Sequence, residues 1–214
     1  AAENELTEIN NLENGNIYIA ASEVALRCLL LPVLKKFREL YPGIHIRINN
    51  HSTPQAISAL KEGSADFAVV TTPTVYSPTL TQTNVKLINE VAICSPKFSA
   101  LLDKKISLSQ LTQYPLISLG SNTKSYEFYS DFFKNHGEVY NPDIEAFTAD
   151  QILPIAEADL GVGFVPREFV HATDNVRIID LAEKIPPRNI CIIKRVEQPL
   201  GAAARELEKM ILHR

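Results

Sequence analysis

Three stretches of the sequence set small hydroxyl, amide or glycine residues directly ahead of helical periodicity. They are Ser22, Ser52-Thr53 and Gly120-Ser121-Asn122. The first turn of a helix offers N–H groups without intrahelical partners and the positive end of the helix dipole, so it can hold a small acid without burying a side-chain charge. Each stretch follows a predicted strand, and in a doubly wound sheet the loops at the carboxyl ends of the strands face one crevice. Thr71 and Thr72 leave a third strand in the same manner, and Phe147 and Thr148 leave another. His51, close to Thr53, is a candidate cation for a carboxylate. Read as helix caps alone, the hydroxyl residues contribute about 1 kcal/mol each and touch no ligand. A solvated loop is likewise the ordinary fate of a histidine such as His51, so both readings stay open at this point.

Signatures of catalysis are missing from the same residues. The sequence holds no GxSxG elbow, HExxH, Walker-type GxxxxGK or GxGxxG, and no paired acid with a partnered histidine. Gly161-Val-Gly163 is too short for a dinucleotide fingerprint and precedes a predicted strand instead of following one. No catalytic residue and no cofactor are therefore expected. Cys28, Cys94 and Cys191 are far apart, form no CxxC pair and lack histidines at zinc-ligand spacing, so no metal site is expected either. An odd number of lone cysteines favours buried, inert thiols in a reducing cytoplasm.

The 214 residues are 45% hydrophobic and 21% charged, a globular composition, with a net charge of -4. Lys and Arg are scattered, which argues against gripping nucleic acid by its phosphates. No apolar run approaches the ~20 residues of a membrane helix; the densest, Cys28 to Leu34, is interrupted by Pro32. Ala1 to Asn14 lacks the basic and apolar regions of a signal peptide. A cytoplasmic protein without membrane contact is the expectation.

The elements that position the candidate residues follow from periodicity. Asn16 to Ala20 alternates as a strand, Ser22 caps a helix carrying Leu30, Leu34, Phe37 and Leu40, and Tyr41-Pro-Gly43 stops it. Ile44, Ile46 and Ile48 form a second strand. Thr53-Pro54 supplies an N-cap and first-turn proline for a helix ended by Gly63, and Asp66 to Val70 is a buried third strand. Such a βαβαβ unit implies a parallel sheet covered by helices. Val85 to Cys94 reads as a strand, or as a pair broken at Asn89-Glu90, with the crossing to a second lobe after it. The pattern then restarts. A capped helix at Ser107 to Leu111 precedes a strand at Leu116 to Leu119. A helix with Tyr126, Phe128, Tyr129, Phe132 and Phe133 follows, then a strand at Ile144 to Phe147. Asp150 caps the next helix, Gly161 ends it, and a buried strand runs to Pro166. Val176 to Leu181 and Ile190 to Ile193 are strands, and Leu200 to Leu212 is an amphipathic helix.

The predicted fold is thus α/β, two Rossmann-like lobes joined by two hinge strands. Lobe I takes residues 15–94 and 191–214, lobe II takes 95–190, and 1–14 is a lead-in. A two-strand hinge leaves a cleft in which a ligand binds.

Gly15-Asn-Ile-Tyr-Ile-Ala-Ala-Ser22, followed by Leu30-Leu-Pro32, Phe37 and Tyr41-Pro42, resembles the opening of the effector-binding domain of LysR-type transcriptional regulators. Leu60-Lys-Glu-Gly-Ser-Ala-Asp-Phe-Ala68 and Ala158-Asp-Leu-Gly-Val-Gly-Phe-Val-Pro166 resemble two further segments of that family, in order and at the right spacing. The resemblance implies a fold like the type 2 periplasmic binding proteins, with a small-molecule effector between the lobes and Ser22, Thr53 and Ser121 in its pocket. It implies a homodimer or homotetramer, and DNA contact only through an N-terminal winged helix-turn-helix outside this chain. Leu6, Ile9 and Leu12 then fit the end of a linker helix. A solute-binding protein of a transporter is the alternative on the same fold; three unpaired cysteines count against export.

Overall fold

The computed structural model describes residues 14–213. The Leu6, Ile9 and Leu12 pattern lies outside the described residues. The chain divides into two units, one holding the residues up to Lys86 and from Asn189 onward, the other Leu87–Arg188.

In the first unit, β1 (Asn16–Ala21) buries Ile17 and Ile19 and leaves Tyr18 half-exposed, the period-2 pattern that made it legible as a strand. It pairs in parallel with β2 (His45–Asn50) and β3 (Phe67–Thr71). The first helix, α1, begins as an α turn at Glu23–Ala25, passes through a π segment at Leu26–Leu30 and continues as an α-helix over Leu31–Leu40. Pro32 brings no N–H, so the Cys28 carbonyl loses its α-helical donor four residues on. Lys86 Nζ donates to that carbonyl at 2.9 Å. Val33, Leu34 and Phe37 form the buried stripe of α1. Burying a side chain as large as Phe37 contributes about 1.5–3 kcal/mol.

The second helix, α2 (Thr53–Lys61), corrects one expectation: Ser52, not Thr53, is the cap, and the Gln55 side chain reaches back to the Ser52 N–H at 2.9 Å. Gly63 ends it as expected, with φ +76°. The rest of the sheet comes from later in the chain, β4 (Leu80–Ile88) and β10 (Arg188–Arg195), in the order β2-β1-β3-β10-β4. Because β10 runs antiparallel to β3, the sheet is mixed where the βαβαβ reading anticipated parallel strands only. The final helix, α6 (Ala202–Leu212), buries Leu207 and Ile211 and packs against α1.

The second unit repeats the plan. Its strands β5 (Glu90–Cys94), β6 (Leu116–Leu119), β7 (Ile144–Ala146), β8 (Val162–Pro166) and β9 (Arg177–Ile179) lie in the order β7-β6-β8-β5-β9. Three are parallel, and β5 runs antiparallel to both β8 and β9. Helices α3 (Leu108–Leu111), α4 (Lys124–Asn135) and α5 (Ile152–Glu157) connect them.

This placement of β5 moves the first passage between units. It falls at Lys86–Leu87 instead of after Cys94, and the return falls at Arg188–Asn189 instead of around Ile190. The reason is the break at Asn89: the half before it stays in the first sheet, whereas Glu90–Cys94 is almost wholly buried between β8 and β9. Two boundaries in this unit also differ. Thr148, not Asp150, caps the 3-10 turn Ala149–Gln151 that leads into α5, and the left-handed residue after α5 is Asp159, with φ 64°. Gly161 instead permits close approach, since a Cβ there would lie 2.5 Å from the Pro115 carbonyl oxygen.

Candidate functional site

In the first unit the expected residues gather at the carboxyl ends of β1, β2 and β3. Ser22 donates its N–H to Val69 at 3.1 Å, and its Oγ accepts from Ala25 N at 3.2 Å. His51 donates its N–H to Ala21 at 2.9 Å, and Thr53 Oγ1 donates to the Thr71 carbonyl at 3.2 Å. Thr53 and Thr71 are both buried. The parallel register of β1 with β2 and β3 brings these strand ends side by side, and among residues 22, 51, 53 and 71 it is Thr53 and Thr71 that bond to each other. Thr72 is engaged differently. Its N–H donates to the Asn189 carbonyl and its Oγ1 accepts from Asn189 N, both at 2.9 Å, which latches β3 to the start of β10. His51 also lines a groove of about 470 Å³ along α2 with Asn49, Gln55, Ser58 and Glu62.

In the second unit Gly120, Ser121 and Asn122 form the turn after β6, closed by Thr123, whose Oγ1 donates to the Gly120 carbonyl at 2.7 Å. Thr123, and neither Ser121 nor Asn122, is the cap of α4, accepting from Tyr126 N at 3.1 Å. Ser121 and Asn122 are exposed. A Cβ at Gly120 would meet the flexible ends of two exposed side chains, Glu145 Oε1 at 2.8 Å and Asn122 Oδ1 at 2.9 Å, which can give way. Phe147 and Thr148 leave the neighbouring strand β7, tied by their N–H groups to Gln151 Oε1 at 2.8 and 3.3 Å. Phe147 is 89% exposed, so its ring is free to meet a partner.

The electrostatics are mixed. Helix starts favour negative charge, yet Glu23 opens α1 and Glu145 stands beside the Gly120 turn. Glu23 accepts from the Asn50 amide at 3.3 Å.

Sequence reasoning missed a buried polar cluster in this unit. Arg188 Nη1 donates to Glu90 Oε1 at 3.1 Å with both side chains almost fully buried. Tyr129 Oη donates to Glu90 Oε2 at 2.8 Å, Arg188 Nη2 donates to Ser125 Oγ at 3.1 Å, and the guanidinium lies 4.9 Å from the Phe128 ring centroid. Burial, and then the Glu90 carboxylate, hold the Tyr129 hydroxyl well above the ordinary tyrosine pKa, so it remains a donor. Ser125, Phe128 and Tyr129 fall at i, i+3 and i+4, one face of α4. That spacing, with one charge near each end of the second unit, Glu90 and Arg188, was the available signal.

The three cysteines are buried and none is in a disulfide. Burial raises Cys94 to about 11 and Cys191 to about 12. Among the described residues no group of three or more His, Cys, Asp and Glu could hold a metal ion, and no helix is long and apolar enough to cross a membrane.

Comparison with known proteins places the fold. Among curated proteins, the transcriptional regulator CysB of Haemophilus influenzae is 27% identical over 158 residues, covering 74% of this chain and 49% of that protein. A probable nitrogen assimilation transcriptional activator of Synechococcus elongatus is 25% identical over 183 residues, 81% of this chain and 58% of that protein. The chain therefore spans about half the length of the curated relatives it matches. Among solved structures, the regulatory domain of Synechocystis CcmR in complex with 2-PG superposes with a TM-score of 0.82 at 14% identity, covering 92% of this chain and 95% of that one. The effector-binding domain of QuiR in complex with shikimate gives 0.82 at 14% identity, covering 94% and 96%. Residues 10–214 match the family described as the LysR substrate binding domain, and the chain belongs to that family.

Proposed function

We propose that this chain is the sensing part of a longer transcriptional regulator and that it binds a small acid carrying hydroxyl groups. The observation that carries the reading is the repetition of hydroxyl-capped helix starts at the carboxyl ends of parallel strands in both units: Ser22 and Ser52 in the first, Thr123 and Thr148 in the second. Their free N–H groups suit a negative group, while Glu23 and Glu145 close by accept hydrogen bonds from hydroxyls. The residues assigned to the ligand are Ser22, His51, Thr53, Thr71 and Thr72 in the first unit, with Gly120, Ser121, Asn122, Phe147 and Thr148 in the second. Relatives complexed with 2-PG and shikimate support a ligand of this size and polarity.

The role proposed is binding without catalysis, in the cytoplasm, as a homodimer or homotetramer, with DNA met by a segment outside this chain; the relatives named as transcriptional regulators support this. A ligand can act only through different affinity for two states of the protein. Thermal-shift screening with sulfate, 2-PG and shikimate tests the reading. A bound ligand at 100-fold its Kd adds about 2.7 kcal/mol of stability. Ser22→Ala, Thr53→Ala and Ser121→Ala should each weaken binding, and unchanged affinity in all three removes the assignment.

A further inference from the structure

The buried ion pair Glu90–Arg188 is an expensive feature, because desolvating two charges costs several kcal/mol and an apolar pair of similar volume often serves stability equally well. Its place in the chain suggests what it is for. Glu90 follows the first passage between units and begins β5; Arg188 is the last residue before the return and begins β10. Within the second unit the pair engages one face of α4 through Ser125, Phe128 and Tyr129. Ser125 lies in the first turn of α4, directly after the Gly120–Asn122 turn. The next residue, Asn189, belongs to the first unit and is latched there to Thr72 at the end of β3. Consecutive residues of the chain thus hold a candidate binding segment in each unit.

We propose that Glu90 and Arg188, with Ser125 and Tyr129, form a clamp that positions the first turn of α4 and ties it to both passages, so that capture of a ligand at the turn after β6 is felt where the chain leaves and re-enters the first unit. Arg188 and Glu90 are positioning residues in this scheme and do not contact the ligand. Arginine suits the task because its planar fork reaches Glu90 and Ser125 together while its face lies on Phe128. The ligand half of the proposal rests on the binding reading above; the clamp itself does not.

Hydrogen exchange on the free chain decides the clamp without any ligand. The double variant Glu90→Leu/Arg188→Met keeps an apolar pair in place but strands the Tyr129 hydroxyl, so it is expected to melt modestly below the parent while remaining folded. Amide exchange should rise at least about tenfold together in residues 124–129, 86–90 and 186–190, while β1 to β3 keep their protection. Arg188→Lys, which retains the charge without the fork, should fall between the parent and the double variant. Exchange that is unchanged in all three segments, or that rises evenly through both units, overturns the clamp. Sulfate is the probe for the second half. If it binds the parent chain, it should slow exchange in 86–90 and 186–190 in the parent and not in the double variant; slowing in both proteins overturns the transmission. Sulfate that binds neither protein counts against the binding reading, and the free-chain exchange still decides the clamp.

Discussion

The two units share one plan, three parallel strands joined on one side by an antiparallel fourth, yet they fill it differently. Around α2 the first packs small and aliphatic residues, with Ala20, Ala56, Ala59, Ala65 and Ala68 around Leu60, Val70 and Ile193, and its buried rings Phe37 and Phe67 lie outside that cluster. The second stacks rings, Tyr129, Phe132, Phe133, Tyr140 and Phe164. Small residues permit close approach of backbone to backbone, whereas rings fill space through edge and tilted contacts. The fourth strand is also secured differently, by the neutral pair Thr72 and Asn189 in the first unit and by the charged pair Glu90 and Arg188 in the second. A single topology therefore tolerates opposite choices of core and of latch, provided each unit is internally consistent.

The largest test of this contrast is truncation of a ring. Phe133→Ala should cost about 3–5 kcal/mol in urea unfolding, and Leu60→Ala about 2–5 kcal/mol. Exchange measurements should confine the loss of protection to the unit that carries each substitution. Equal loss in both units would show that the cores are not separate.

Glycines sharpen the comparison at the next level. A Cβ at Gly163 in β8 would come 2.4 Å from Ile152 Cγ2, so Gly163→Ala collides with a stiff side chain. Overpacking of this kind costs about 1–3 kcal/mol. Gly63 in the first unit meets nothing within 4 Å but holds φ +76°, so its constraint is conformational. Gly63→Ala should cost about 1–2 kcal/mol, and Gly63→Asn, which tolerates the left-handed region, should cost less in the same unfolding assay.

Alkaline pH separates the units through one thiol each. Cys191 in the first unit is raised from 9.0 to about 12 and Cys94 in the second to about 11, both by burial. Above pH 9 the unfolded chain releases protons that the folded chain retains, so stability falls as pH rises, by about 1.4 kcal/mol per pH unit for each thiol. The Cys94 contribution stops growing near pH 11 and that of Cys191 near pH 12. Denaturant midpoints between pH 8 and 11 should show a shallower slope in Cys94→Ala and in Cys191→Ala.

Helix caps give the smallest effect. Ser22→Ala and Thr123→Ala should each cost about 1 kcal/mol, a fall in Tm of about 2–4 °C. A loss in one cap only would mark the other hydroxyl as retained for something besides its helix.

Much of the capping pattern around the candidate site was legible because caps are local. Ser22 reads as a cap from its neighbours alone, and Ser107 with Gln110 forms the reciprocal box that the sequence spells out. Reading failed where two hydroxyls compete. Ser52 and Thr53 both suit a cap, and the deciding contact, Thr53 Oγ1 to the Thr71 carbonyl, spans eighteen residues. Thr123 displaced Ser121 and Asn122 through a local contact instead, since its own Oγ1 closes the turn after β6 on the Gly120 carbonyl three residues back.

Periodicity and turn chemistry, which depend on residues within one or two turns of each other, determined the α/β elements, their order and the repetition of one pattern along the chain. Only the tertiary structure decided that β5 joins the second sheet, that β10 enters the first one antiparallel, and that Glu90 finds Arg188. Those outcomes depend on desolvation and pairing between residues far apart in the chain, 98 positions for Glu90 and Arg188 and more for the pairing of β3 with β10, where no local spacing reports which partner a buried charge will meet.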